Sequence, residues 1–255
     1  MFVVFILGPA GSGKSTFTSS FSNFLNEVEI DNIRVNLDPA VESLPYVPDV
    51  DVREYITARE VMEKYGLGPN GAIIAATDML IKFLKNLKEE IISLKPGYVL
   101  VDTPGQLELF AFRQSGKEII SYLSGERASM VFIIDTILAL LPSSFVSSLL
   151  LSASVFFRFN LPMVLALNKI DMIDERKVNE ILNWIENPEE IYTTLARERS
   201  LEAFFHENIV RVIEDFLRVF KCIPISSTKN LGLENVYSVL QQIYIGGEDF
   251  TVLTP

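Results

Sequence analysis

The feature that most constrains this chain is an octapeptide near its start, Gly8-Pro9-Ala10-Gly11-Ser12-Gly13-Lys14-Ser15, followed by Thr16. It fits G-x-x-x-x-G-K-[ST], and the spacing has a physical reason. Glycines let the backbone fold tightly, so that successive N–H groups point inward at phosphate oxygens. A helix opening directly after the loop adds the partial positive charge of its N-terminus. On this pattern Gly11, Ser12, Gly13 and Thr16 build or flank the cradle. Lys14 reaches the β- and γ-phosphates, and the Ser15 hydroxyl is a ligand for Mg²⁺. The pattern has this meaning only between a strand and a helix. The preceding run Phe2-Val3-Val4-Phe5-Ile6-Leu7 has no basic start, so it reads as that strand and not as the core of a signal peptide.

Apolar runs rich in β-branched residues recur along the chain with helical segments between them, the pattern of a parallel sheet with crossover helices. Strands are predicted at Phe2–Leu7, Ile33–Leu37, Tyr98–Asp102, Met130–Asp135, Met163–Asn168 and Cys222–Ile225. Core helices are predicted after Lys14 and over Gln114–Leu123, Ser143–Phe156 and Leu233–Gln242. The expected architecture is one α/β domain over residues 1–255, a three-layer P-loop NTPase fold with a mostly parallel central sheet. Helical insertions are expected at about 52–94 and about 174–219, neither bounded by a Pro/Gly/Ser linker. The first holds two helical patterns separated by Gly66-Leu67-Gly68-Pro69-Asn70-Gly71.

Two further motifs fall at predicted strand ends. The strand Tyr98–Asp102 runs into Thr103-Pro104-Gly105-Gln106. An Asp at that tip, beside the phosphate loop, holds Mg²⁺ through water, and Gly105 lets its N–H approach a γ-phosphate. Gln106 is placed to orient an attacking water. The strand Met163–Asn168 runs into Lys169-Ile170-Asp171, an N-K-x-D element. The Asp171 carboxylate accepts both N–H donors of guanine, whereas adenine offers neither there and would leave a buried acceptor unpaired. Asn168 meets the other edge of the base and ties this loop to the phosphate loop, and the Lys169 stem lies over the ring. Ser226-Ser227-Thr228, after the last strand, stands where a backbone N–H meets guanine O6. Together these motifs predict GTP and GDP over adenine nucleotides, with Mg²⁺ as cofactor.

Composition narrows the partners. The chain has 22 Lys and Arg against 33 Asp and Glu, a net charge of −11. A field of that sign repels phosphate backbones, so nucleic acid and anionic membrane are not expected partners and phosphate binding must be local. A single cysteine, Cys222, and a single histidine exclude an internal disulfide and a Cys-based zinc cluster. The apolar stretch Phe145–Phe157 is shorter than the ~20 residues that span a bilayer, and a cytoplasmic location is expected. An apolar fraction of 49% is slightly rich for a monomer and fits a buried subunit contact or a large core equally.

With Gly68-Pro69-Asn70 lying between Asn36-Leu37-Asp38-Pro39-Ala40 and Asp102-Thr103-Pro104-Gly105-Gln106, the chain closely resembles the GPN-loop GTPases over nearly its whole length. The resemblance implies GTP hydrolysis by a homodimer or heterodimer, each subunit's Gly-Pro-Asn segment entering its partner's site and Asn70 donating to the transferring phosphoryl group. A primary amide serves there without adding charge, and Pro69 between Gly68 and Gly71 suits a tight protruding turn. The resemblance also makes Asp38 a candidate to contact the attacking water or the Mg²⁺ shell. It further implies a nucleotide-gated assembly role, with a protein client such as an RNA polymerase assembly component.

Overall fold

Alternation along the strands sorts their side chains to two faces. In the first strand, β1 (Phe2–Leu7), Val4 and Ile6 point one way and Val3, Phe5 and Leu7 the other, and all five are buried. A strand apolar on both faces must be covered on both, which is the condition of a parallel sheet between helical layers. The computed structural model describes residues 1–125, 127–197 and 203–245 and meets that condition. Its other strands are β2 (Asn32–Asn36), β3 (Val50–Asp51), β4 (Tyr98–Asp102), β5 (Ala128–Asp135), β6 (Met163–Asn168) and β7 (Cys222–Pro224). They form one seven-stranded sheet in the order β3-β2-β4-β1-β5-β6-β7. Every pairing is parallel, so the sheet is wholly and not mostly parallel. Pro224, which has no N–H to give a ladder, sits in the edge strand β7.

One face is covered by α1 (Lys14–Glu27) and α11 (Leu233–Ile245). Phe17, Phe21 and Leu25 of α1 and Val236 and Leu240 of α11 pack there on Val4, Ile6, Leu100 and Val164. The rings of Phe17 and Phe21 stack at 5.2 Å, and burying each contributes on the order of 2–3 kcal/mol. The other face carries α2 (Ala58–Tyr65), α3 (Pro69–Met79), α4 (Leu84–Ser93), α5 (Leu107–Ala111), α6 (Gln114–Ser124) and α7 (Pro142–Phe159). It also carries α8 (Glu175–Glu186), α9 (Glu189–Arg197) and α10 (Ala203–Val219). Residues of both expected insertions share one cluster with the sheet. Trp184 of α8, for instance, meets Phe145 of α7 at 6.0 Å.

Three local expectations change. The strand β3 was not foreseen, because only Val50 and Asp51 pair, with Val35 and Asn36, and two residues carry no periodicity. The helix expected over Ser143–Phe156 extends further at both ends, over Pro142–Phe159. α7 has 18 residues and is long and apolar enough, by length and composition, to cross a bilayer. Here its Phe145, Leu149, Ser152 and Val155 are buried in the protein. The Gly68-Pro69-Asn70 segment is not a free turn. Thr57 and Glu60 form a capping box that starts α2, and Gly66 (φ 64°) ends it in the left-handed conformation. Gly68 has φ −70° and Pro69 is the first residue of α3, where its fixed φ is already helical and its missing N–H costs nothing. Asn70 therefore rides on the first turn of a helix.

Close approach, not backbone freedom, explains Gly116 in α6. A Cβ there would lie 2.0 Å from the carbonyl oxygen of Phe110 in α5. Gly116→Ala would gain about 1 kcal/mol of helix propensity but must push α5 and α6 apart. Urea unfolding is expected to show a net loss of about 2 kcal/mol or more; an unchanged or higher midpoint would disprove the close packing of these helices.

Candidate functional site

The carboxyl ends of β1, β4, β5 and β6 place the predicted motifs on one edge of the sheet, the edge where open parallel sheets bind ligands. Register aligns Asp102 with Ile6 on one side and Asn36 on the other, and Asp135 with Asn168. Gly13 (φ 99°) caps α1, and a Cβ on it would stand 2.4 Å from Nδ2 of Asn168. That clearance lets Asn168 Nδ2 donate to the Ser12 carbonyl at 3.0 Å. Asn168 Oδ1 accepts from the N–H (3.1 Å) and the hydroxyl (2.9 Å) of Ser227. One side chain thus joins the phosphate loop, β6 and the loop after β7.

Lys14 is buried, and its Nζ donates to the carbonyls of Gly8 (3.0 Å), Pro9 (2.9 Å) and Gly105 (3.2 Å). Burial pulls its pKa below the ordinary lysine value, while Asp102, Asp38 and Glu108 oppose the shift. Two buried polar atoms nearby have no hydrogen-bond partner, Ser12 Oγ and Asp102 Oδ1. Each costs ~1–3 kcal/mol to leave unpaired, so both atoms are available to a polar or charged ligand.

Asp102 has only 2% of its surface exposed. Its Oδ2 accepts from the Tyr46 hydroxyl at 2.9 Å. Burial pushes its pKa up to about 6, with the Ser15 and Tyr46 hydroxyls and Lys14 pulling the other way and Asp38 adding to the rise. The Ser15 hydroxyl is close enough to favour the carboxylate without a well-formed hydrogen bond to Oδ1. A bare carboxylate oxygen beside an uncommitted hydroxyl is an oxygen donor set suited to Mg²⁺. Among the described residues no group of three or more His, Cys, Asp and Glu could hold a metal. That suits an ion held by one or two protein oxygens, water and substrate phosphates.

Asp38, two residues past β2, accepts from Gly105 N–H at 2.8 Å through Oδ2 and from Ala40 N–H at 2.8 Å through Oδ1. Asn36 fixes this turn, accepting from Asp38 N–H (2.9 Å) and donating to Asp51 (2.9 Å), which Arg53 grips at 2.6 Å. Gln106 is half-buried at the N-cap of α5 and makes no side-chain hydrogen bond.

At the far end of the cleft, Asp171 is exposed and accepts from Ser226 Oγ (2.6 Å) and Thr228 Oγ1 (3.0 Å). Ser226's hydroxyl holds this carboxyl below its ordinary range, against the opposing effect of burial and with a smaller contribution from the Thr228 hydroxyl. Lys169 Nζ bridges Gly11 O and Asp135 Oδ2, both at 2.6 Å, so its stem crosses from the base loop to the phosphate loop. Of the three amides expected near guanine O6, Ser226 N–H goes to Leu231 O and Ser227 N–H to Asn168. Thr228 N–H remains uncommitted.

The motifs on the sheet edge therefore converge, and Gly68, Pro69 and Asn70 stand apart. All three are exposed, and no hydrogen bond joins them to Lys14, Asp102 or Gln106. Sequence reasoning missed Tyr46, Asp135 and the Asn36–Asp51–Arg53 group. Asp135 could have been suspected at its strand tip. Tyr46 lies in Leu44-Pro45-Tyr46-Val47-Pro48, where no period or motif singles it out.

The raised pKa of Asp102 has a thermodynamic sign. With a folded pKa of about 6 against 3.8, the group favours the nucleotide-free fold below the unfolded value, and that contribution is lost as pH rises through 6. Asp102→Asn should therefore raise the stability of the nucleotide-free protein at pH 8 by on the order of 1–3 kcal/mol. In thermal unfolding the gap should narrow as pH falls through 6 and close near the unfolded value of 3.8; a gap as large near that value as at pH 8 would contradict the assignment.

Comparison with known proteins agrees with this geometry. A family profile described as "conserved hypothetical ATP binding protein" matches residues 6–245. GPN-loop GTPase 1 of Dictyostelium discoideum is 31% identical over 252 residues, covering 97% of this chain and 62% of that protein. The chain likewise spans 62% of an Arabidopsis thaliana GPN-loop GTPase. A GPN-loop GTPase of Pyrococcus abyssi is 30% identical over 256 residues, covering 98% of this chain and all of that one. The crystal structure of the apo form of a P. abyssi GTPase superposes with a TM-score of 0.85 at 28% identity, over 95% of this chain and 97% of that one. Profile, relatives and fold agree with the motifs on the sheet edge: the chain belongs to the GPN-loop GTPase family.

Proposed function

We propose that this protein binds GTP with Mg²⁺ and hydrolyses it to GDP and phosphate. The observation that carries the choice of base is Asp171. Its two oxygens are steadied by Ser226 and Thr228 hydroxyls, and a carboxylate has about four acceptor sites. That leaves two for the N1 and 2-amino donors of guanine. The family profile's description mentions ATP, but adenine has no paired donors to offer this acceptor, and GTP is the reading we adopt.

The phosphate end supports exchange of partners on binding. Lys14 leaves the Gly8, Pro9 and Gly105 carbonyls for the β- and γ-phosphates. Gly105 N–H turns from Asp38 to the γ-phosphate, which frees Asp38 Oδ2 to accept from the attacking water. Gln106, uncommitted in its side chain, orients that water. When bound, Mg²⁺ offsets phosphate charge; Ser15 and, through water, Asp102 would hold it. Because Lys14, Asp38 and Gly105 change partners together, the nucleotide state sets the shape of both loops.

A homodimer completes the site. Asn70 is exposed and far from the reacting groups' own hydrogen-bond network, and its neighbours Tyr65 and Leu67 expose 52% and 37% of their surface. Apolar exposure beside that segment supports its burial against a second subunit. State-dependent binding of a protein client, such as an RNA polymerase assembly component, is the second reading. Phe157 and Val219, exposed by 80% and 71% at the ends of α7 and α10, favour it.

Asp171→Asn should lower GTP affinity by about 100-fold and shift preference to xanthosine triphosphate, whose 2-oxo group accepts where guanine donates. Competition binding reads both, and retained GTP preference would refute the role of Asp171. Asn70→Ala should leave GTP affinity within about twofold and slow single-turnover hydrolysis at least about tenfold. Wild-type turnover in that variant would remove Asn70 from the mechanism.

A further inference from the structure

The Asp102 carboxylate is used unevenly. Oδ2 is taken by the Tyr46 hydroxyl at 2.9 Å, while Oδ1, equally buried, has no partner. A hydroxyl can only donate to a carboxylate, so the contact fixes both the rotamer of Asp102 and which oxygen is left open. Tyr46 is itself held independently of any nucleotide. The Arg34 guanidinium lies 5.9 Å from its ring centroid and pairs with Asp49 at 3.2 Å. Ser19 Oγ donates to the Pro45 carbonyl at 3.4 Å, and Asp49 N–H donates to Arg34 O at 2.8 Å. Arg53 Nη1 donates to the carbonyls of Val41 (3.2 Å) and Glu42 (3.4 Å) at the start of the same segment.

We infer that Tyr46 is a positioning residue for the metal side of the site: its hydroxyl pins Asp102 so that Oδ1 alone faces the Mg²⁺ hydration shell. The inference rests on the GTPase reading above and adds to it the residue that orients the acidic group. Outer-shell hydrogen bonds of this kind are worth about 10–100-fold in metal affinity. A phenylalanine would fill the same space, with 8% of the residue exposed, so any difference isolates the hydroxyl.

The test is GDP binding to the full chain with Mg²⁺ titrated, and again in EDTA. Tyr46→Phe is expected to raise the Mg²⁺ concentration for half-maximal GDP retention about tenfold, with GDP affinity in EDTA within twofold of wild type. An unchanged or lower Mg²⁺ midpoint would overturn the inference. So would an equal loss of GDP affinity in EDTA, which would mark Tyr46 as structural only. If Tyr46→Phe does not fold, Arg34→Gln carries the test. It removes the cation over the ring without touching the site. A raised Mg²⁺ midpoint at constant EDTA affinity supports the inference, and an unchanged midpoint rejects it. Wild-type protein that binds no GDP at all would instead remove the GTPase reading, a separate failure.

Discussion

The site depends on one side-chain amide. Asn168 donates from Nδ2 to the Ser12 carbonyl and accepts at Oδ1 from Ser227, while its own backbone carbonyl accepts from Thr136 N–H at 3.0 Å. Three loops that are distant in sequence meet on this residue, which is 2% exposed. A buried amide paired at both its oxygen and its nitrogen is a rigid joint, because breaking either side would leave a polar group unpaired in the interior. The joint requires a missing Cβ at Gly13, where one would stand 2.4 Å from Nδ2. The glycine of the phosphate loop therefore serves two purposes, backbone conformation and clearance. The distance between phosphate and base pockets is set by this contact before any nucleotide arrives.

Charge is the second constraint. A chain of net charge −11 has to hold a polyanion, so it concentrates positive potential in a small volume: Lys14, the α1 N-terminus and Lys169. The same volume contains Asp38 and Asp102, and the charge of Asp38 adds to the cost of ionising Asp102. Lys14 offsets part of that, and Tyr46 a further part. What remains is an acidic site whose carboxyl pKa lies near 6 and whose Oδ1 has no donor. On the proposed function, a divalent cation arriving with the phosphates would remove both penalties at once and so couple the affinities of metal and nucleotide.

The sheet was legible because buried parallel strands announce themselves as apolar runs. Predicted and observed limits coincide for β1, β4 and β6. The phosphate and base loops were legible because their residue types are dictated by the ligand. What escaped depends on tertiary contact. Two-residue β3 exists only because β2 offers it a ladder. Tyr46 matters only because the segment after Asp38 folds back on β4. For the Ser226-Ser227-Thr228 turn, sequence could not say which amide stays free, since that follows from where Asn168 and Leu231 point. Gly68-Pro69-Asn70 was read as a protruding turn from its glycines. Proline at a helix start is the competing principle, and it prevailed.

That last difference bears on mechanism. A loop would present Asn70 loosely; a helix presents it in a fixed orientation and ties it to whatever α3 touches. Asp78 near the end of α3 pairs with Arg113 at 2.7 Å. Arg113 and Ala111 in turn give their carbonyls to Arg158 of α7 at 3.1 and 3.3 Å. α5, between them, begins directly after Gln106. The Asp78–Arg113 pair is about 40% exposed on each side, and such pairs contribute no more than ~1 kcal/mol. A weak electrostatic tie over a packed apolar contact favours one arrangement without locking it. On the proposed function, a displacement of the Gly105–Gln106 turn by a γ-phosphate would be carried through α5 into the helix that bears Asn70. The chemistry of one subunit and the segment it offers to the next would then be parts of a single moving unit.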